Sequence, residues 1–126
     1  MSVVSTGALL GWAAVGGGVG AALRYAVDVA VSIRGRRGFP LGTFLINVSG
    51  SLLLGLLVGL APGPTAIALI GTGVLGGYTT FSTASYDAVR LARSGNRVIA
   101  LVYAVGTMLV TVVAAVAGVW LGARWA

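Results

Sequence analysis

The sequence predicts an all-α membrane protein of four transmembrane helices, and three observations predict it. The chain of 126 residues is 58% hydrophobic and 8% charged, with a mean hydropathy of +1.04. Its eight basic residues are all Arg and its two acidic residues are both Asp, too few to give a soluble domain of this length a polar surface. Apolar stretches of about 20 residues, the length that matches the hydrocarbon thickness of a bilayer, use up residues 1–126 as a single four-span domain.

Span one is expected over about 8–32. It is too long and too Gly-rich for a signal-peptide core, and no small-x-small cleavage site follows a short apolar block, so it reads as a retained span. Arg34, Gly35, Arg36, Arg37, Gly38 and Pro40 form the loop after it. Span two is expected over about 42–60 and is closed by the turn Pro62-Gly63-Pro64. Span three is expected over about 65–91, and span four over about 98–121, with Trp120 and Trp125 as interfacial anchors.

Span three differs from the others. Gly71, Gly73, Gly76 and Gly77 precede Tyr78-Thr79-Thr80-Phe81-Ser82-Thr83 in mid-span, and Gly pairs with consecutive Thr weaken a helix. A helix broken in lipid strands unpaired amides and carbonyls, so a break at its centre points to an ion site or a wet path. The alternative is a run of small residues for close packing. Asn47, Ser51, Gly55 and Gly59 on span two, Gly16 with Gly20, and Gly118 with Gly122 carry that packing spacing elsewhere.

The arginines fix an orientation. Arg34, Arg36 and Arg37 follow span one, while Arg90, Arg93 and Arg97 lie between spans three and four, on the same side. The other side holds Arg124 and the amino terminus. This bias places both basic loops in the cytoplasm and both termini outside, and it accounts for the net charge of +6 without nucleic acid.

The chemistry is narrow. With no Cys, His, Lys or Glu, disulfides, thiolate nucleophiles, zinc or haem ligation by those residues and imidazole catalysis are excluded. No enzyme site can be assembled. Asp28 and Asp87 stand near the basic side, so neither serves as a central proton carrier. What remains is Asn47, the hydroxyls of Thr79, Thr80, Ser82 and Thr83, the ring of Phe81, and Tyr103, Thr107 and Thr111 at four-residue steps on span four. Amide and hydroxyl donors with a ring edge suit a small anion that accepts hydrogen bonds.

Three segments occur in order: Gly17-Gly18-Val19-Gly20-Ala21-Ala22-Leu23-Arg24-Tyr25, Gly42-Thr43-Phe44-Leu45-Ile46-Asn47-Val48-Ser49-Gly50, and Gly76-Gly77-Tyr78-Thr79-Thr80-Phe81-Ser82-Thr83. Together they resemble the CrcB/Fluc fluoride channel family. The resemblance implies two four-span subunits packed antiparallel in the cell membrane, with two narrow pores at the interface that export fluoride passively. It implies that Asn47 is a pore-facing amide, that the edge of Phe81 meets the anion, and that Ser82 and Thr83 are polar neighbours. Tyr103, Thr107 and Thr111 would form a hydroxyl track. The backbone carbonyls of Gly76 and Thr79 would hold a structural Na+ at the dimer centre, shared with the partner. Arg24 would be the basic residue of a pore vestibule; the other reading is that it snorkels and pairs with Asp28.

The chain departs from the family's pattern at two points. A second Phe is usual three residues after the first, and here that position is Ala84; Asp87 stands where Glu is common. The uneven arginine count disfavours insertion in both orientations, so the expected partner is a related subunit of opposite topology, in a heterodimer, or else a second copy in a homodimer. Two rival readings are a small multidrug-type exporter, which would need a central carboxylate, and a non-conducting structural subunit marked by Ala84.

Overall fold

The structure is a computed structural model that describes residues 4–34 and 38–126; Arg36 and Arg37 of the first basic loop lie outside the described residues. Among the described residues the chain is all helical, without strands. Helix α1 spans Thr6–Arg34, α2 Leu41–Leu60 and α6 Arg97–Trp125, and these three are long and apolar enough to cross a membrane. Each overruns its apolar run at one or both ends, because backbone hydrogen bonding continues past the last residue that hydrophobicity marks. At the start of α1, Ser5 Oγ accepts the N–H of Ala8 at 3.2 Å and so replaces a missing helical partner.

The stretch between α2 and α6 is helical in pieces. Ala61 takes a left-handed conformation (φ 50°) that ends α2, and Pro64 opens the next element at a position where its missing N–H costs nothing. There follow α3 (Pro64–Ala66), a π-helical stretch Ile67–Leu75, α4 (Gly76–Tyr78) and α5 (Phe81–Arg93). Thr79 and Thr80, with ψ of 157° and 120°, are extended. Helix α5 restarts on the Thr80 side chain, whose Oγ1 accepts the N–H of Thr83 at 3.1 Å. It ends on Arg90 and Arg93, which complement the helix dipole, before a turn at Gly95 (φ 92°).

Glycine sets the packing. Helix α2 lies chiefly against α6, and α1 against the π-helical stretch and α4. A Cβ at Gly55 would run into the carbonyl of Ala115, one at Gly118 into that of Leu52, and one at Gly20 into that of Val74. Backbones therefore touch directly, which gives dispersion contacts where lipid offers no hydrophobic drive to associate. The apolar core is small, with Leu91, Ala100 and Tyr103 packed by Phe44, Ala88 and Ala92. Most large apolar side chains, such as Val102, Val113 and Leu53, point outward, the arrangement of helices immersed in hydrocarbon.

Candidate functional site

The extended pair Thr79-Thr80 is held by α2. Asn47 is buried, donates from Nδ2 to the Thr80 carbonyl at 2.8 Å, and accepts the Thr80 N–H on Oδ1 at 2.8 Å. In a continuous helix that N–H would bond the carbonyl of Gly76. The amide of Asn47 thus pairs both backbone groups of a residue that helix geometry abandons, which is what a burial free of water requires. Thr79 stays tied to the preceding helix, with its N–H and Oγ1 both donating to the Leu75 carbonyl at 3.0 and 2.9 Å. Ser49 Oγ and the hydroxyl of Tyr78, 3.0 Å apart, add a second tie from α2.

Beside this brace runs a groove of about 620 Å³. Asn47 on α2, Thr79, Thr80 and Phe81 at the break, and Tyr103, Thr107 and Thr111 on α6 all line it. The four-residue spacing on α6 does bring three hydroxyls to one wall. Thr111 Oγ1 donates back to the Met108 carbonyl at 2.9 Å. Tyr103 and Thr107 are buried, and among the described residues neither hydroxyl makes a hydrogen bond of good geometry, although Thr43 and Asp87 stand near that of Tyr103. Such buried donors are rare because each one left unmade costs free energy. Phe81 stands at the groove with 88% of its surface exposed, and Ala84 and Ser85 continue the α5 wall.

Other expected residues lie around the groove. Thr83 receives a hydrogen bond on Oγ1 from Thr80 Oγ1 at 3.0 Å and faces a second cavity; Ser82 is exposed, its Oγ 3.4 Å from Thr80 Oγ1. Gly76 sits on α4, and its neighbour in the proposed ion site, Thr79, has its carbonyl 3.5 Å from Arg24 Nη1. Arg24 therefore leans on the break, and among the described residues the ion pair formed is Asp87–Arg90, at 3.5 Å, in place of Arg24 with Asp28.

The second cavity, of about 290 Å³, collects both carboxylates, Asp28 and Asp87, with Thr43, Thr83, Phe39 and Arg90. Buried Asp87 accepts from Thr43 Oγ1 at 2.9 Å, so its charge is balanced by a hydroxyl and a guanidinium. Sequence reasoning did not foresee the Thr43–Asp87 bond or the part of Asn47 as a backbone brace, because the partners stand 44 and 33 positions apart on different helices.

The chain matches the family model described as "CrcB-like protein, Camphor Resistance (CrcB)" over residues 11–119. It is similar to "Fluoride-specific ion channel FluC 1" of Leifsonia xyli subsp. xyli, 50% identical over 113 residues that cover 86% of this chain and 82% of that one. "Fluoride-specific ion channel FluC 1" of Streptomyces avermitilis is 45% identical, over 86% of this chain and 91% of its own. "Fluoride-specific ion channel FluC 2" of Yersinia pseudotuberculosis is 41% identical, over 87% and 93%. A match over residues 11–119, with relatives at this identity and coverage, means that the chain belongs to the CrcB-like family.

Proposed function

We propose that this chain is a subunit of a fluoride-specific ion channel that lowers cytoplasmic fluoride by passive export across the cell membrane. The observation that carries the reading is the pair of buried, unpartnered hydroxyls, Tyr103 and Thr107, on the same groove as Asn47 and Phe81. A small anion that accepts hydrogen bonds is the ligand such donors can satisfy. The names of the relatives specify fluoride.

In this reading the helical pieces between Pro64 and Arg93 form the third span, interrupted at Thr79-Thr80, and α6 is the fourth. The arginines of the two basic loops keep those loops in the cytoplasm and both termini outside. Ion conduction takes place in pores at the interface of an antiparallel dimer, formed with a paralogue of opposite topology or with a second copy. The open groove and the exposed Phe81 ring are surfaces such a partner would cover. Arg24, Ser82 and Thr83 line the approach to the pathway.

A structural Na+ belongs to the same proposal. The carbonyl of Gly76, whose helical donor is diverted to Asn47, and the carbonyl of Thr79 are hard oxygens of the type that holds such a cation. One chain offers two of them, so the partner must supply the rest, and the Arg24 guanidinium near Thr79 must give way. The bound cation would raise the potential for an anion nearby.

Fluoride efflux from liposomes tests the function, measured with this chain alone and with a candidate partner subunit. Rapid, chloride-rejecting efflux in either arm is expected; fluoride retained in both arms overturns the reading. Ala84, which lines the groove where a ring is usual, favours one further outcome, in which the partner's groove alone conducts.

A further inference from the structure

Helix α2 starts without a cap of its own. Pro40 precedes it with no side-chain hydrogen bond, and its first turn holds no acidic residue. Phe44 donates its N–H to the Pro40 carbonyl at 3.2 Å, while among the described residues the N–H groups of Gly42 and Thr43 have no backbone partner. Both residues are buried. A helix end left in this state carries partial positive charge, and an anionic group beside it is stabilising.

A carboxylate from another helix stands there. Asp28, in the last third of α1, lines the charged cavity together with Pro40, Leu41, Gly42 and Thr43, the opening of α2. Its Oδ1 occupies the space that a Cβ on Gly42 would take, so the approach requires glycine at that position. Among the described residues Asp28 has no ion-pair partner, since Arg90 pairs with Asp87 and Arg24 turns to the Thr79 carbonyl. The other charged groups of the cavity, Asp87 and Arg90, answer one another. What remains to face the Asp28 carboxylate is the start of α2.

We propose that Asp28 serves as the N-terminal charge of α2, supplied across the contact between α1 and α2, and thereby positions the residues that α2 presents to the groove. Next to Gly42, Thr43 donates to Asp87, and one turn further Asn47 holds Thr80. With α1 pressed on Gly42, and Asp87 and the Thr80 break tied to Thr43 and Asn47, the opening of α2 is fixed from two directions. Asp28 is a positioning residue, outside the lining of the groove itself. Its bearing on ion flux rests on the channel reading, but its bearing on α2 does not.

The test uses the full chain with its partner in liposomes. Asp28→Ala is expected to speed hydrogen exchange at the amides of Phe44, Leu45, Ile46 and Asn47 several-fold, and Asp28→Asn to speed it less, with the amides around Gly55 unchanged. Leu41→Asp added to Asp28→Ala returns a carboxylate to the first turn of α2. It is expected to restore the parent exchange rates, and with them the fluoride efflux lost in Asp28→Ala; a residue that merely filled space could not be replaced in this way. Parent rates in both single Asp28 variants overturn the proposal, as does failure of Leu41→Asp to restore them. Gly42→Ala gives an independent check. It should loosen the same amides in the parent but leave them unchanged when Asp28 is Ala, because the methyl then meets no carboxylate. Equal effects in both backgrounds overturn the contact. The expected exchange pattern in a protein whose parent form passes no fluoride would refute the channel reading and leave the role of Asp28 standing.

Discussion

Asn47→Leu keeps the bulk of the side chain on α2 and deletes both of its bonds to Thr80. The Thr80 N–H and carbonyl, each 2.8 Å from the Asn47 amide, then lie buried without partners. Leaving one buried polar group unmade costs about 1–3 kcal/mol, so the pair costs about 2–6 kcal/mol. A loss of that size lowers the melting temperature by about 10 °C or more for a domain of this length. Trp12, Trp120 and Trp125 give an intrinsic fluorescence signal for unfolding in detergent micelles. Asn47→Ala adds a cavity and is expected to fall lower still. If Asn47→Leu melted within a degree or two of the parent, the amide would not be bracing the break, and the account of Thr79-Thr80 as a side-chain-supported interruption would fail.

The hydroxyl pair behaves in the opposite sense. Tyr103→Phe and Thr107→Val remove donors without protein partners, so stability should hold or rise by about 1 kcal/mol in thermal melts. Fluoride efflux should drop, by about tenfold or more, since a hydrogen bond to a charged ligand is worth about 1.5–3 kcal/mol. Phe81→Ala should leave the melting temperature of the isolated subunit nearly unchanged, because the ring is 88% exposed, while reducing efflux in the assembled protein. Gly118→Ala places a methyl against the Leu52 carbonyl and should cost about 1–3 kcal/mol in the same melts. Thr43→Val strips buried Asp87 of its hydroxyl donor and should destabilise by about 1–3 kcal/mol, with Thr43→Ser restoring most of the loss.

Apolar length alone locates α1, α2 and α6 to within about a turn, because a bilayer demands that many residues and little else in the chain competes. Composition also flags the neighbourhood of Gly76 to Thr83, where the dihedrals turn extended at Thr79 and Thr80. Tyr103, Thr107 and Thr111, spaced by four, line the same groove, since a helix makes sequence spacing into a face. What links separate helices is not periodic and could not be read. Asn47 to Thr80, Thr43 to Asp87 and Phe39 to Tyr103 are separated by tens of residues, and each depends on how the helices are rotated against one another. Arg24 shows the same limit: spacing puts it beside Asp28, but helix packing points it to Thr79. The π-helical stretch was equally invisible, because its residues would serve an α-helix as well.

That stretch bears on how the chain tolerates changes in length. The N–H of Gly76 reaches back to the carbonyl of Gly71, five residues away, so each turn there stores more chain than an α-turn would. Removing one residue between Ile67 and Leu75 would let the ladder tighten toward the α pattern and still deliver Thr80 to Asn47. The same deletion inside α2 would have no such slack and would swing Asn47 off the groove altogether.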